Sequence, residues 1–304
     1  MIALLAVSCG GRGPVILPTA TPPPTFTPGP TPIPARPTDP PPGSAENPLS
    51  LYLVAPGSPS RYADEVDTLG DALVSATGLV VEVQVTDSYA VVLEGLCNRT
   101  IHIGTLDAFG YLAASQQGCA TPAFVVERDG ETTVQGQLIA NSQTLIANVE
   151  SFRGRRFCRP SSDSAYGWIM PSVALRARGI DPLNELNTVI DAGSNEEVVQ
   201  LVHDLECDVG ATLLGAEEAV DDLDRPEFVS FIEALTPIPN DAIVFSSAVN
   251  EPVREASLEA LEMGETALLD VMSADGLKTA RDSDYDEMRD LFASAGIDVL
   301  SLSR

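Results

Sequence analysis

The chain has 304 residues, is 44% hydrophobic, and carries 44 acidic against 17 basic side chains, a formal charge of −27. That length suffices for a sizeable core in one or two domains. The excess of carboxylates argues against nucleic acid, whose phosphates need Lys and Arg, and against an electrostatic grip on anionic lipid heads. It leaves room for a small anion, because backbone N–H groups and hydroxyls can hold one whatever the distant charge.

At the start, Ala6-Val7-Ser8-Cys9-Gly10 closes a short apolar run with small residues ahead of a Cys. This resembles a bacterial lipoprotein cleavage box, with Ala6 where Leu is usual, and the resemblance implies a residual leader over 1–8 and acylation of Cys9. Residues 14–42 hold thirteen prolines, which cannot form helix or sheet ladders and favour an extended spacer. Residues 9–48 are therefore expected to be a lipid-anchored, Pro-rich disordered tether. No later stretch reaches eighteen apolar residues, so membrane contact is expected through the lipid anchor only.

Four more cysteines follow: Cys97, Cys119, Cys158 and Cys207. An even number in an exported chain favours disulfides, and the pairs expected are Cys97–Cys119 and Cys158–Cys207, with four buried free thiols as the alternative. With no CxxC pair and only two His, no metal site and no cofactor are expected.

Folded structure is expected from about Pro48. Leu51-Tyr52-Leu53-Val54 reads as a buried strand. Val66, Leu69, Leu73 and Ala76 then fall at helical spacing before Gly78. Residues 81–85 alternate as a strand, Asp87-Ser88 can cap a helix running to about Cys97, and residues 101–104 form another strand before a helix carrying Tyr111. The same order returns later, with strands at 155–158, 187–190 and 207–212 separated by polar loops at 161–164 and 191–195 that open helices. Strict strand–helix alternation argues an α/β fold with mostly parallel sheets flanked by helices. Residues 132–140 and 239–245 read as two hinge strands, and the last sixty residues as helical. This gives two lobes, 49–140 with 246–304 and 141–245. Ligands of open α/β sheets gather at the carboxyl ends of strands, where both polar loops fall.

An ordered set of motifs adds to this. It runs Thr86-Asp87-Ser88-Tyr89-Ala90, then Ile103-Gly104-Thr105-Leu106-Asp107-Ala108-Phe109-Gly110-Tyr111, then Arg128-Asp129-Gly130. Val149 to Phe157, Gly167-Trp168-Ile169-Met170-Pro171, Ala192-Gly193-Ser194-Asn195, Cys207-Asp208-Val209-Gly210-Ala211, Ile238-Pro239-Asn240-Asp241 and Asp284-Tyr285 follow in order. Over about residues 49–300 the chain resembles the phosphate/phosphite/phosphonate-binding proteins of ABC importers, a branch of the type 2 periplasmic binding proteins. The resemblance implies two lobes that close on a small-molecule ligand and dock on an ABC permease. It also implies ligand contacts from Tyr89 and Tyr111, from a loop that here reads Ser164-Ala165-Tyr166-Gly167, from Ser194 and Asn195, and from Asp241.

Against the family's Ser-Thr-Ser-Gly loop, Ala165 and Tyr166 have lost two small hydroxyls, and Asn195 stands where the family has His. Asp107 adds a carboxylate at the rim. Fewer donors and an added carboxylate disfavour a simple dianion and suit an amino-bearing, zwitterionic or aromatic solute. No G-x-S-x-G, H-E-x-x-H or G-x-x-x-x-G-K-[ST] motif is present, so the expectation is a solute-binding protein and not an enzyme. A monomer is expected. The alternative is a receptor module of the same fold that senses its ligand without transport.

Overall fold

The computed structural model describes residues 40–220 and 223–301. Cys9, the leader and most of the Pro-rich segment lie outside the described residues. Residues 40–47, inside the expected tether, already make backbone hydrogen bonds. Val80 N donates to Gly43 O (3.0 Å) and Gly43 N to Asn47 O (2.7 Å). Gly43 has φ +86°, and any side chain there would run into Leu79, so only glycine suits the position.

The first half alternates strand and helix: β1 (Leu49–Val54), α1 (Ala63–Thr77), β2 (Val81–Thr86), α2 (Tyr89–Asn98), β3 (Ile103–Leu106), α3 (Ala108–Gln116) and β4 (Ala120–Glu127). Then come β5 (Thr133–Val134), β6 (Gly136–Asn141), β7 (Arg156–Arg159), α4 (Met170–Ala177), β8 (Thr188–Asp191), α5 (Asn195–His203), β9 (Val209–Leu213) and β10 (Val229–Ala234). The chain closes with β11 (Ile238–Pro239), β12 (Ala242–Ser246), α6 (Glu251–Met263), α7 (Glu265–Met272), β13 (Gly276–Thr279) and α8 (Asp286–Ser294).

These strands form two mixed sheets, ordered β13-β4-β12-β3-β1-β2 and β10-β6-β9-β7-β8, and a small ribbon of β5 with β11. In the first sheet β1 runs parallel to β2 and β3, and β12 lies antiparallel between β3 and β4. In the second, β7 runs parallel to β8 and β9, and β6 lies antiparallel between β9 and β10. Each sheet thus keeps most strands in one direction, and the reversed strand beside its third strand is the one that has just crossed from the other sheet.

That arrangement moves the crossings away from the expected boundaries at 140 and 245. β6 belongs to the second sheet and β12 to the first, so the chain changes sheets at 128–135 and 235–241, through the β5–β11 ribbon. The terminal region is not wholly helical either: β13 pairs antiparallel with β4 at the sheet edge.

Packing is layered. Leu69 and Leu73 of α1, Leu261 of α6, and Leu268 and Val271 of α7 cover one face of the first sheet against Leu51, Leu53, Ile103 and Phe245. A second core runs from α2 and α3 through Tyr285, Met288 and Phe292 into Phe157, Met170 and Val173, with α8 against α4. Val198 and Val202 of α5 pack on Ile139 and Cys158. Cys97 is bonded to Cys119 and Cys158 to Cys207, as the sequence suggested. Among the described residues no helix is long and apolar enough to cross a membrane.

Candidate ligand-binding site

Strand register explains why distant residues meet at one end of the first sheet. β2 delivers the chain to Tyr89 at the start of α2, where the Ser88 hydroxyl accepts from Val91 N (3.4 Å). β3 delivers it to Asp107, whose carboxylate caps α3 by accepting from Gly110 N at 2.7 Å. β12 runs antiparallel to β3 with Ala242 opposite Leu106, which sets Asp241 beside Asp107. β4 borders β12 on its other side with Val125 opposite Ala242, so Arg128, just past β4, reaches the same end.

The side chains use that convergence. The Tyr89 hydroxyl donates to Asp241 Oδ1 at 3.0 Å, and Arg128 Nη2 donates to Asp241 Oδ2 at 2.8 Å. Arg128 also donates to the carbonyls of Met272 (3.1 Å) and Ser273 (3.3 Å) at the C-terminal end of α7. Its charge is therefore shared between Asp241 and a helix terminus of negative polarity. Burial raises the pKa of the Tyr89 phenol, and the charge of Asp241 and the hydrogen bond to it raise it further. Burial also pushes the Asp107 carboxyl up, against the Gly110 hydrogen bond, and the charge of Asp241 adds to the rise.

In the second sheet, parallel pairing of β7 with β8 sets Arg159 opposite Asp191, so the loops that follow lie side by side. The Ser164 hydroxyl accepts from Gly167 N (3.0 Å) at the head of a π-helical turn, Ala165–Ile169. The Ser194 hydroxyl accepts from Glu197 N (3.1 Å) and caps α5. Asn195 is tied at both ends: its Oδ1 accepts from Leu213 N (3.0 Å) and its Nδ2 donates to the Tyr166 hydroxyl (3.2 Å). Ser164, Ala165, Tyr166, Ser194 and Asn195 line one cavity of about 440 Å³, together with Asp163 and Glu196. Among the described residues no Lys or Arg lines it. The Ser161 hydroxyl donates to Asp163 (2.6 Å) and holds that carboxyl below its usual range. Glu196 is held low by a backbone hydrogen bond and by Ser194. Arg159 turns to Asp191 and lies over the Trp168 ring at 4.1 Å.

The residues anticipated from sequence thus fall into three groups. Tyr89, Asp107 and Asp241 meet in the first lobe, and the five residues around Ser164 and Asn195 meet in the second. Tyr111 belongs to neither. It is 1% exposed, its hydroxyl donates to Asp282 at 2.5 Å, and its ring lies 4.3 Å from that of Tyr285. Residue 111 thus lies on the side of α3 that faces the turn before α8. Arg128, Asp163 and Glu196 were not anticipated as site residues. Arg128 stood in a recognisable motif, but only the register shows what it reaches. Among the described residues no group of His, Cys, Asp or Glu could hold a metal ion.

Residues 52–285 match the model of a family described as ABC transporter, phosphonate, periplasmic substrate-binding protein. The structure of XAC2383 from Xanthomonas citri bound to chloride ion is similar, with 16% identity, a TM-score of 0.56, and coverage of 82% of this chain and 97% of that one. The same protein bound to ATP gives 16% identity, a TM-score of 0.56, and coverage of 84% and 97%. The two-lobed α/β architecture is therefore a known one. The matched family consists of components that bind a small solute for an importer's permease and are not enzymes. This chain belongs to the periplasmic substrate-binding protein family of phosphonate ABC transporters.

Proposed function

We propose that the chain captures a small phosphonate-like solute carrying an amino group, in the cleft between its two lobes, and hands it to an ABC permease while tethered as a monomer through an acylated Cys9. The observation that carries this reading is the distribution of charge. Asp107 and Asp241 meet beside Tyr89 with Arg128 bonded to Asp241, and the second-lobe cavity is lined by hydroxyls, an amide, Asp163 and Glu196. A carboxylate about 4 Å from an ammonium contributes roughly 4 kcal/mol at an effective dielectric near 20, and opposes a phosphonate dianion at that distance by about twice as much. A zwitterion reconciles the family's anion-binding loop with this acidic surround. Its oxygens meet the Ser164, Tyr166, Ser194 and Asn195 groups, and its ammonium meets Asp107 and Asp241.

The fold alone does not set the ligand, since XAC2383 has been captured with solutes as different as chloride and ATP. Isothermal titration calorimetry of the full chain decides the matter. Binding of 2-aminoethylphosphonate at least tenfold tighter than that of methylphosphonate or inorganic phosphate is expected. Equal or tighter binding of either simple anion would overturn the reading.

A further inference from the structure

Arg128 and Asp241 stand at the roots of the two crossings: Arg128 is the first residue after β4, and Asp241 the last before β12. Backbone bonds pin that point, with Val126 N donating to Asp241 O (3.0 Å) and Asn240 N to Thr132 O (2.8 Å). The guanidinium is fixed there by three acceptors. Its Nη2 donates to Asp241 Oδ2 and Met272 O, and its Nε to Ser273 O. Tyr89 takes the other oxygen of the same carboxylate. Two carboxylates, Asp107 and Asp241, therefore share one guanidinium, which leaves the group one negative charge. Asp129 and Glu131 border Arg128 in a cavity of about 590 Å³ at the crossings, but both are exposed and water screens them.

We infer that Arg128 is a specificity-determining residue of this site: it holds Asp241 in place and cancels one of the two carboxylate charges, so that the first lobe is matched to a single ammonium. The solute's charge completes neutrality, and the guanidinium repels any further cation. Its charge thus sets how strongly the first lobe prefers an amine, while the solute's nitrogen meets the carboxylates and not Arg128. This rests on the proposed amino-bearing solute and adds to it the residue that tunes the amino end.

The test is calorimetry on the full chain and its Arg128→Gln, Arg128→Lys and Asp241→Asn variants, with two probes that differ only in the amine, 2-aminoethylphosphonate and ethylphosphonate. Arg128→Gln removes the charge and keeps an N–H donor. It is expected to tighten 2-aminoethylphosphonate about tenfold and to leave ethylphosphonate unchanged or weaker. Arg128→Lys keeps the charge, so both probes should stay within about threefold of the wild type. A brace that serves only the fold would not change the preference between the probes in Arg128→Gln, and a guanidinium that grips the phosphonate would weaken both alike; either result overturns the inference. So does a tenfold loss of either probe in Arg128→Lys, an arm that holds even where Arg128→Gln is too unstable to titrate. If Asp241→Asn weakens the amine probe and Arg128→Gln does not tighten it, the inference fails and the proposed site stands. If the wild type binds neither probe, or does not distinguish them, both fail.

Discussion

The two lobes share a strand plan and differ in chemistry. Each has a first strand flanked by its second and third, then a reversed strand that has crossed from the other lobe, then a further strand. At the corresponding strand ends the first lobe presents two carboxylates, a guanidinium and a buried phenol. The second presents capping hydroxyls, an amide bonded to a phenol, and the carboxylates of Asp163 and Glu196. Topology therefore fixes where side chains converge, and residue choice at a few loop starts fixes which part of a solute each lobe can hold. On the proposed reading, the charged groups of the first lobe hold the amine, and the hydroxyl and amide donors of the second meet the oxygens.

The disulfides offer the largest effect by which to break this comparison. Cys97–Cys119 spans 22 residues of the first lobe and Cys158–Cys207 spans 49 of the second. Loop-closure entropy predicts a loss of about 3 kcal/mol for the paired Cys→Ala variant of the first and about 4 kcal/mol for the second. Urea unfolding measures both, and a larger loss in the first lobe would contradict the ordering. Next comes Asp241→Asn, which removes the charge that the solute's ammonium meets. Affinity for 2-aminoethylphosphonate should fall about 30-fold, roughly 2 kcal/mol, with ethylphosphonate unchanged or tighter. Asn195→Ala should weaken both probes alike, by about tenfold, because it removes a second-lobe donor and frees Tyr166. It also leaves Leu213 N without its acceptor, at a stability loss of about 1 kcal/mol. Selective loss of the amine probe in this variant would erase the division of labour between the lobes.

The smallest effect concerns pH. His102 at the entry to β3 is fully buried, its Nδ1 accepts from Ser50 N (3.2 Å), and its Nε2 has no partner among the described residues. Burial lowers its pKa from the ordinary value near 6.5. The unfolded chain then takes up a proton that the folded chain resists, so stability is complete above about pH 6.5 and is lost as pH falls below it. Between pH 7.5 and 5.5 the wild type should lose about 1 kcal/mol more than His102→Gln, as read from urea midpoints. Equal losses would show that another group sets the dependence.

Much of the fold was legible because short apolar runs alternate with amphipathic segments. Residues 81–85 and Val66, Leu69 and Leu73 carry opposite periods, and the chain obeys both. The crossing points were not legible. Gly136–Asn141 and Ala242–Ser246 are buried on both faces, and such runs carry no period that assigns them to one sheet or the other. Of the site, Tyr89, Asp107 and Asp241 were readable from motifs, as was the loop at Ser164–Tyr166. Tyr111 was expected at the ligand from the resemblance alone, and nothing in the sequence signalled that its ring lies against Tyr285. The Arg128–Asp241 pair joins residues 113 apart, and only the β4–β12–β3 register brings them together.

The central claim is that one solute is held with its amino group on the first lobe and its oxygens on the second. A crystal structure of the chain with 2-aminoethylphosphonate tests it most directly. The account predicts the solute nitrogen within hydrogen-bond distance of Asp107 and Asp241, and the phosphonyl oxygens among Ser164, Tyr166, Ser194 and Asn195. The reverse orientation, or a solute bound away from both groups, would contradict it.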